Sequence, residues 1–171
     1  MSRRPTIPVL LAVVLVGGLV ALEVATSGGG EDRPGRRAAP PLPAAVLVPP
    51  RATVESLRGR PAIVNFWASW CDPCKREARE LQRLSSRLRG RAALVGVDWA
   101  DDLAGARAFI RRYGWTFPNL RDAQGTVGNE YRLSGLPNTF VLDSDGRIAQ
   151  VLRGPQTAAS VERALAAAER D

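Results

Sequence analysis

Pro61-Ala62-Ile63-Val64-Asn65-Phe66-Trp67, followed by Ala68-Ser69 and then Trp70-Cys71-Asp72-Pro73-Cys74, is the stretch whose reading decides the fold. Its first seven residues are almost continuously apolar, as in a strand buried on both faces. After Cys74, Ala78, Leu81, Leu84 and Leu88 recur at spacings of three or four, the period of a helix with one buried side. The two cysteines therefore sit where a buried strand hands over to a helix N-terminus. They are the only cysteines in 171 residues. The helix dipole and its free N–H groups favour a thiolate on the first cysteine. A low-pKa, accessible thiol with a second thiol one turn away can attack a disulfide and then be released by its neighbour. Cys71 is thus the expected attacking thiol and Cys74 the resolving one, and the chemistry implied is thiol–disulfide exchange.

Other readings of the pair compete. A structural zinc site usually takes four ligands, and a chain with two Cys and no His would have to add carboxylates or a second chain. An inert structural disulfide is open, although closing so short a loop removes little chain entropy. A binding chaperone for Cu(I) or haem assembly would use the soft thiolates, but Met1 is the only methionine, so supporting ligands are missing. A c-type haem attachment needs a histidine directly after the second cysteine. That residue is Lys75, which excludes it. A peroxidatic cysteine in its own activating loop is not found. No cofactor and no metal are expected.

The formal charge is +7, from 24 Lys+Arg against 17 Asp+Glu. Lys75 is the only lysine, so 23 of the 24 basic residues are arginine. Basic and acidic residues alternate along the helices, as in Lys75-Arg76-Glu77-Ala78-Arg79-Glu80, the pattern of solvated faces. Nucleic-acid binding is not expected.

Residues 1–6, carrying Arg3 and Arg4, read as a cytoplasmic N-terminus, and residues 7–23 as a transmembrane anchor or signal segment. Ile7 through Leu22 carries no charge. Ala25-Thr26-Ser27 offers small residues for cleavage, so a cleaved, secreted form is the alternative to a single-pass membrane protein. No cysteine follows the apolar run, which excludes a lipoprotein anchor. Either way the rest of the chain lies outside the cytoplasm, where disulfides persist. Residues 24–43 are rich in Gly, Pro and charge and read as a flexible linker, leaving 44–171 as the folded domain.

Within that domain strands are expected at Ala44–Val48, Ala62–Trp67, Ala92–Val97, Phe117–Leu120, Thr139–Leu142 and Arg147–Leu152. Helices are expected at Thr53–Leu57, Cys71–Arg89, after Asp101, at Thr126–Tyr131 and after Thr157. Asp101 is read as the cap of the third helix, with Leu103, Ala106, Ile110 and Tyr113 inward. Asp143-Ser144-Asp145-Gly146 reads as a hairpin turn. Strands alternating with helices and closing on a hairpin imply an α/β sandwich with a mixed sheet.

From about Ala44 to Ala168 the chain resembles the thioredoxin superfamily, and most of all its membrane-anchored TlpA/ResA/CcmG-like branch. The resemblance rests on four motifs in order. These are Val64-Asn65-Phe66-Trp67-Ala68-Ser69-Trp70-Cys71-Asp72-Pro73-Cys74-Lys75-Arg76-Glu77, Phe117-Pro118 with Arg121-Asp122, Gly135-Leu136-Pro137-Asn138-Thr139-Phe140, and Asp145-Gly146-Arg147-Ile148. It implies a three-layer thioredoxin-like sandwich around a central mixed β-sheet, preceded by a transmembrane helix. It implies a redox-active Cys71–Cys74 disulfide, a cis bond before Pro137 beside that disulfide, and substrate contacts at Trp70, Asp72, Pro73, Leu136 and Pro137. Leu136 would pair its backbone with a substrate chain as an added strand. Asn65 stands where cytoplasmic thioredoxins have a buried carboxylate. Glu77, one turn after Cys74, matches a glutamate of the branch and is assigned proton transfer to Cys74 or tuning of its pKa; the other reading is a solvated glutamate paired with Arg76 or Arg79. Arg79 replaces a helix-kinking proline of many relatives, and Trp99 replaces a small or polar residue.

The partners so implied are cysteine-containing exported proteins, apocytochrome c among them, and a membrane thiol electron-transfer partner. The negative charge of Asp72 between the cysteines raises the Cys71 pKa, and the chain has no His in this loop. Both lean towards a reductase. A disulfide-forming oxidase is the alternative.

Overall fold

A computed structural model describes residues 36–88 and 90–170. Six strands, β1 (Ala45–Val48), β2 (Ala62–Trp67), β3 (Ala93–Trp99), β4 (Asn119–Asp122), β5 (Asn138–Leu142) and β6 (Ile148–Arg153), form one sheet in the order β1-β4-β3-β2-β5-β6. β3 pairs in parallel with β2 and β4, and the other pairings are antiparallel. The sheet is mixed, as expected. Five helices complete the fold: α1 (Val54–Leu57), α2 (Asp72–Leu88), α3 (Leu103–Tyr113), α4 (Thr126–Glu130) and α5 (Ala158–Arg170).

β2 lies at the centre and is buried along its whole length, which is why its sequence does not alternate. Successive side chains of a strand point to opposite faces. Ile63 and Trp67 join the core built with Ala78, Leu81, Leu84 and Leu88 of α2, Phe109 of α3 and Val161 and Leu165 of α5. Val64 and Phe66 join the opposite core with Leu57, Val97, Leu120, Tyr131 and Phe140. Helices thus cover both faces, giving three layers. Asn65 has the parity of Ile63 and Trp67, so it faces α2. Burial contributes roughly 1.5–3 kcal/mol for each of Leu81, Leu84 and Leu88, so packing of one stripe holds α2 in place.

Two expectations are corrected. The third helix is capped by Asp102, whose carboxylate accepts the Gly105 N–H at 2.8 Å; Asp101 turns its side chain elsewhere. On that helix Ala106 and Phe109 are the buried residues, Ile110 and Tyr113 are half-buried, and Leu103 is 39 % exposed. The Phe109 ring stacks on Trp67 at 4.7 Å and meets Trp115 edge-on at 5.2 Å, and this aromatic contact rotates the helix away from the face that its aliphatic residues suggest.

Residues 36–43 have the composition of a linker, yet they lie against the domain. Ala39 N–H donates to Gly146 O at 3.0 Å, and Ile148 N–H donates to Arg37 O at 2.8 Å. Tyr131 donates its hydroxyl to Pro40 O at 2.8 Å, and Arg36 pairs with Asp143 at 3.2 Å. Hydrogen bonds to a sheet edge do not require a hydrophobic sequence. Residues 7–23 lie outside the described residues. Among those described, no helix is long and apolar enough to cross a membrane.

Candidate functional site

β2 ends at Trp67, and Ala68–Trp70 turn the chain into α2. Cys71 N–H donates back to Ala68 O at 3.2 Å, and Lys75 N–H donates to Cys71 O at 3.3 Å. Cys71 therefore sits at the helix head. Cys71 and Cys74 form a disulfide with a Cα–Cα distance of 5.3 Å. The Cys74 N–H donates to Cys71 Sγ at 3.1 Å. This is one of the unsatisfied amides of a first helical turn, and in the reduced state it would stabilise a Cys71 thiolate. In the disulfide both residues are buried, with Cys71 4 % exposed and Cys74 1 %. Cys71 is the more exposed of the two, although its residue packs in the core with Trp67 and Ala68.

The register pairs Phe66 with Asn138. The chain just before Asn138 therefore lies at the end of β2 that delivers Cys71. The Leu136–Pro137 bond there is cis, and Leu136 packs against the core that contains both cysteines. Pro137 O accepts the Gly154 N–H at 3.0 Å. Among the described residues, neither the amide nor the carbonyl of Leu136 takes part in a backbone–backbone hydrogen bond.

Trp70 is 55 % exposed and its indole N–H reaches Ala100 O at 3.4 Å. Its ring centroid is 6.4 Å from that of Trp99. Trp99 is half-buried, and its indole N–H donates to Gly125 O at 3.2 Å. A Cβ added at Gly128 would sit 2.3 Å from the Trp99 indole nitrogen, so Gly128 makes room for that ring. Asp72 is exposed and pairs with Lys75 at 2.6 Å. The hydrogen bond and charge of Lys75 hold the Asp72 carboxyl below the usual carboxylate range. The same cation offsets part of the Asp72 charge felt at Cys71, so Asp72 disfavours the thiolate less than a lone carboxylate would.

Glu77 lies one turn beyond Cys74 on the buried stripe of α2 and is 1 % exposed. It is not a solvated glutamate paired with Arg76 or Arg79. One carboxylate oxygen accepts from Asn65 Nδ2 at 2.9 Å and the other from the Gln156 N–H at 2.7 Å. Asn65 Nδ2 also donates to Thr139 Oγ1 at 3.0 Å. The network ties β5, β2, α2 and the segment before α5 together behind the disulfide. Burial pushes the Glu77 carboxyl up to about 7, against the pull of these two donors. An acid poised near neutrality beside a thiol pair is suited to proton transfer. The sequence points to Glu77 through helical spacing, but nothing local in it points to Gln156.

The acids at the C-terminal end of β3 are likewise placed by contacts distant in sequence. Asp98 is fully buried, and Asp101 accepts from both the N–H and the hydroxyl of Ser69, at 2.5 and 3.0 Å. Asp101 reads in the sequence as a helix cap, and no local signal marks Asp98 as buried. Among the described residues no group of three or more His, Cys, Asp or Glu side chains is arranged to hold a metal ion. A cavity of about 410 Å³, lined in part by Arg51, Leu57, Arg60 and Leu94, lies at the opposite end of the sheet.

Known proteins share this body. The AhpC/TSA family model matches residues 42–151. The thiol-disulfide oxidoreductase ResA of Geobacillus kaustophilus (strain HTA426) is 33% identical over 109 residues, which are 63% of this chain and 63% of that relative. The chain therefore spans a little under two thirds of the ResA length. The thioredoxin-like protein YneN of Bacillus subtilis (strain 168) is 30% identical over 118 residues, 67% of this chain and 69% of YneN. The solved structure of MTB dsbF in its mixed oxidized and reduced forms is similar with a TM-score of 0.67 and 27% identity, covering 75% of this chain and 95% of that one. With the family model spanning β1 to β6 and the cysteine pair at the head of α2, the chain belongs to the AhpC/TSA family and has its thioredoxin-like α/β fold.

Proposed function

We propose that the protein is an extracytoplasmic thiol–disulfide oxidoreductase acting on exported proteins through Cys71 and Cys74. The observation that carries this reading is the Cys71–Cys74 disulfide at the helix head, with the cis Leu136–Pro137 bond at the adjoining strand end. The names of ResA and of other relatives point the same way.

In the reducing direction the Cys71 thiolate attacks one sulfur of a substrate disulfide, and the other substrate sulfur leaves as a thiolate that takes up a proton. Cys74 loses its proton, with Glu77 as the acceptor, and its thiolate attacks Cys71 Sγ. That step frees the second substrate thiol and leaves the Cys71–Cys74 disulfide. A membrane dithiol partner then reduces this disulfide and is itself oxidised. The unengaged backbone of Leu136 offers a substrate strand its hydrogen bonds, and Trp70 and Pro73 flank the approach. A chain without histidine has no imidazolium in the loop to favour the thiolate, which supports a reductase. Apocytochrome c is a substrate of the required kind. Residues 7–23 anchor the domain with the N-terminus in the cytoplasm.

The test is trapping. Cys74→Ser should accumulate mixed disulfides with partner proteins, and Cys71→Ser almost none; equal trapping would reverse or dissolve the assignment of roles. The reduction potential of the couple decides direction, a value in the DsbA range standing against a reductase. A reporter that works only in the cytoplasm should be silent when fused after Asp171, and an active one would refute export.

A further inference from the structure

Trp70 and Trp99 meet beside the disulfide, at the end of the sheet where β2 and β3 finish. Trp67 pairs with Asp98, so Trp99 stands one residue beyond the level at which β2 ends. Trp70 directly precedes Cys71. The two ring centroids are 6.4 Å apart and the ring planes are tilted by 55°. Planes at that angle enclose a notch. The other two tryptophans of the chain, Trp67 and Trp115, are buried in the core. Trp70 and Trp99 keep ring surface in water, and they are the two at the disulfide.

Both rings are held in place. The Trp70 indole N–H donates to Ala100 O at 3.4 Å, and the Trp99 indole N–H donates to Gly125 O at 3.2 Å. Ala100 adopts φ 49°, a left-handed conformation that an L-residue takes only at a cost. Room for Trp99 is built into the start of α4. A Cβ on Gly128 would lie 2.3 Å from Trp99 Nε1 and 2.8 Å from Leu133 Cδ1, and one on Gly125 would lie 3.0 Å from Trp99 Nε1. Two glycines therefore admit the pyrrole edge of the ring. Trp99, Leu133 and Leu136 pack, each partly buried, against one core, and Leu136 also packs against the core that holds both cysteines. Apolar side chains thus border the disulfide on the side that runs from Trp70 to the cis bond.

We infer that Trp99 is a specificity-determining residue of the disulfide site: with Trp70 it forms a notch that takes a bulky apolar or aromatic side chain next to the reactive cysteine of the protein acted on. The substrate class is therefore an extended polypeptide whose cysteine is flanked by such a residue. The free backbone of Leu136 aligns the strand, and the notch reads one of its side chains. Covering the two exposed rings removes apolar surface from water. Packing of this kind discriminates by roughly three- to tenfold. The use of the notch rests on the exchange proposed at Cys71, but peptides that cannot exchange suffice to test it. Failure of the trapping experiment would therefore leave the notch standing, and absence of the notch would leave the trapping result standing.

The probes are blocked peptides of the form Gly-X-Ser-X-Gly, with serine in place of the reactive cysteine and Phe, Ala or Lys as X, titrated into the oxidised protein. Indole N–H resonances report the binding. The Phe peptide should bind roughly three- to tenfold more tightly than the Ala peptide. It should shift the Trp70 and Trp99 resonances and leave those of Trp67 and Trp115, held by Asn119 Oδ1 and Ala78 O, in place. Trp99→Ser should remove the preference for Phe over Ala; if that variant does not fold, the shifts in the wild type decide. Val46→Ser, which takes an exposed apolar side chain from β1, two strands away from β3, should keep the preference. Equal binding of the Phe and Ala peptides by the wild type, a Lys peptide bound as tightly as the Phe peptide, a shift confined to Trp70, a preference that survives Trp99→Ser, or one lost in Val46→Ser would each overturn the proposal.

Discussion

Glu77 and Asp98 are both buried carboxyls, and burial is the first cause of the raised pKa in each. Their surroundings are opposite. Glu77 has a donor on each oxygen and no acid beside it. Asp98 has no hydrogen bond, with Arg121 Nε 3.7 Å away and the acids Asp101 and Asp102 raising its pKa. Burial sets the direction of the shift, and the neighbours decide what the proton does. Around Glu77 the donors keep the carboxylate accessible near neutrality, as a proton carrier requires. Around Asp98 burial and the acids Asp101 and Asp102 keep the proton on, against the pull of Arg121.

The largest effect that tests this contrast is on stability against pH. A carboxyl raised above its unfolded value contributes stability that is complete below the unfolded value and is lost as pH rises through the folded one. For Glu77 that window runs from 4.5 to about 7, and for Asp98 from 3.8 to about 8. Urea unfolding of the oxidised protein should therefore show stability falling from about pH 5 to about pH 8, by roughly 3 kcal/mol or more. Glu77→Gln should flatten the lower part of this slope, and Asp98→Asn should remove the part that extends to 8. A stability that rises over the interval would mean that neither acid is buried in solution.

A second effect follows from the donors. Glu77→Leu leaves the Gln156 N–H and one of the two Asn65 Nδ2 hydrogens without an acceptor, the other still reaching Thr139 Oγ1, and should cost about 2–4 kcal/mol near neutral pH. Asp98→Asn orphans no donor and should change stability by less than about 1 kcal/mol near pH 6. Equal losses in urea melts would erase the distinction.

The third effect lies in the reduced protein. Glu77→Gln removes a negative charge near the thiols, so the apparent thiol pKa should fall by roughly one unit while turnover slows for want of a proton acceptor. Alkylation rate against pH, with disulfide turnover beside it, measures both. Asp98→Asn should move the thiol pKa less. The smallest effect belongs to Asp72→Asn. It frees the Lys75 cation, so the thiol pKa should fall slightly, with the melting temperature unchanged, because the Asp72–Lys75 pair is exposed.

Much of the site was legible because it is built from local order. An apolar run, a cysteine pair and a three-four period placed Cys71, Cys74 and Glu77 on one helix head before any tertiary contact was known. Pro137 became legible through resemblance, and the register of β5 against β2 brings it to the same end of the sheet. What stayed hidden depended on contacts between distant segments. Asp101 looks like a helix cap until Ser69 is laid against it, and nothing local marks Asp98 as buried. The rotation of α3 follows from one ring stack, Phe109 on Trp67, and periodicity finds a stripe without choosing which aromatic residue leads it. Residues 36–43 are not legible in composition, which reports a lack of core-forming side chains, whereas this segment is held mainly through its backbone.

That backbone contact has a further consequence for how molecules of this protein meet one another. β6 is the last strand of the sheet, and its open side is a template for a strand from another copy. Arg37 and Ala39 occupy the start of that side, taking the Ile148 N–H and filling the Gly146 carbonyl. The segment works as an edge guard. A domain cut at Ala44 would keep every residue of the disulfide site and lose the guard, so it should self-associate at concentrations where the longer chain remains monomeric.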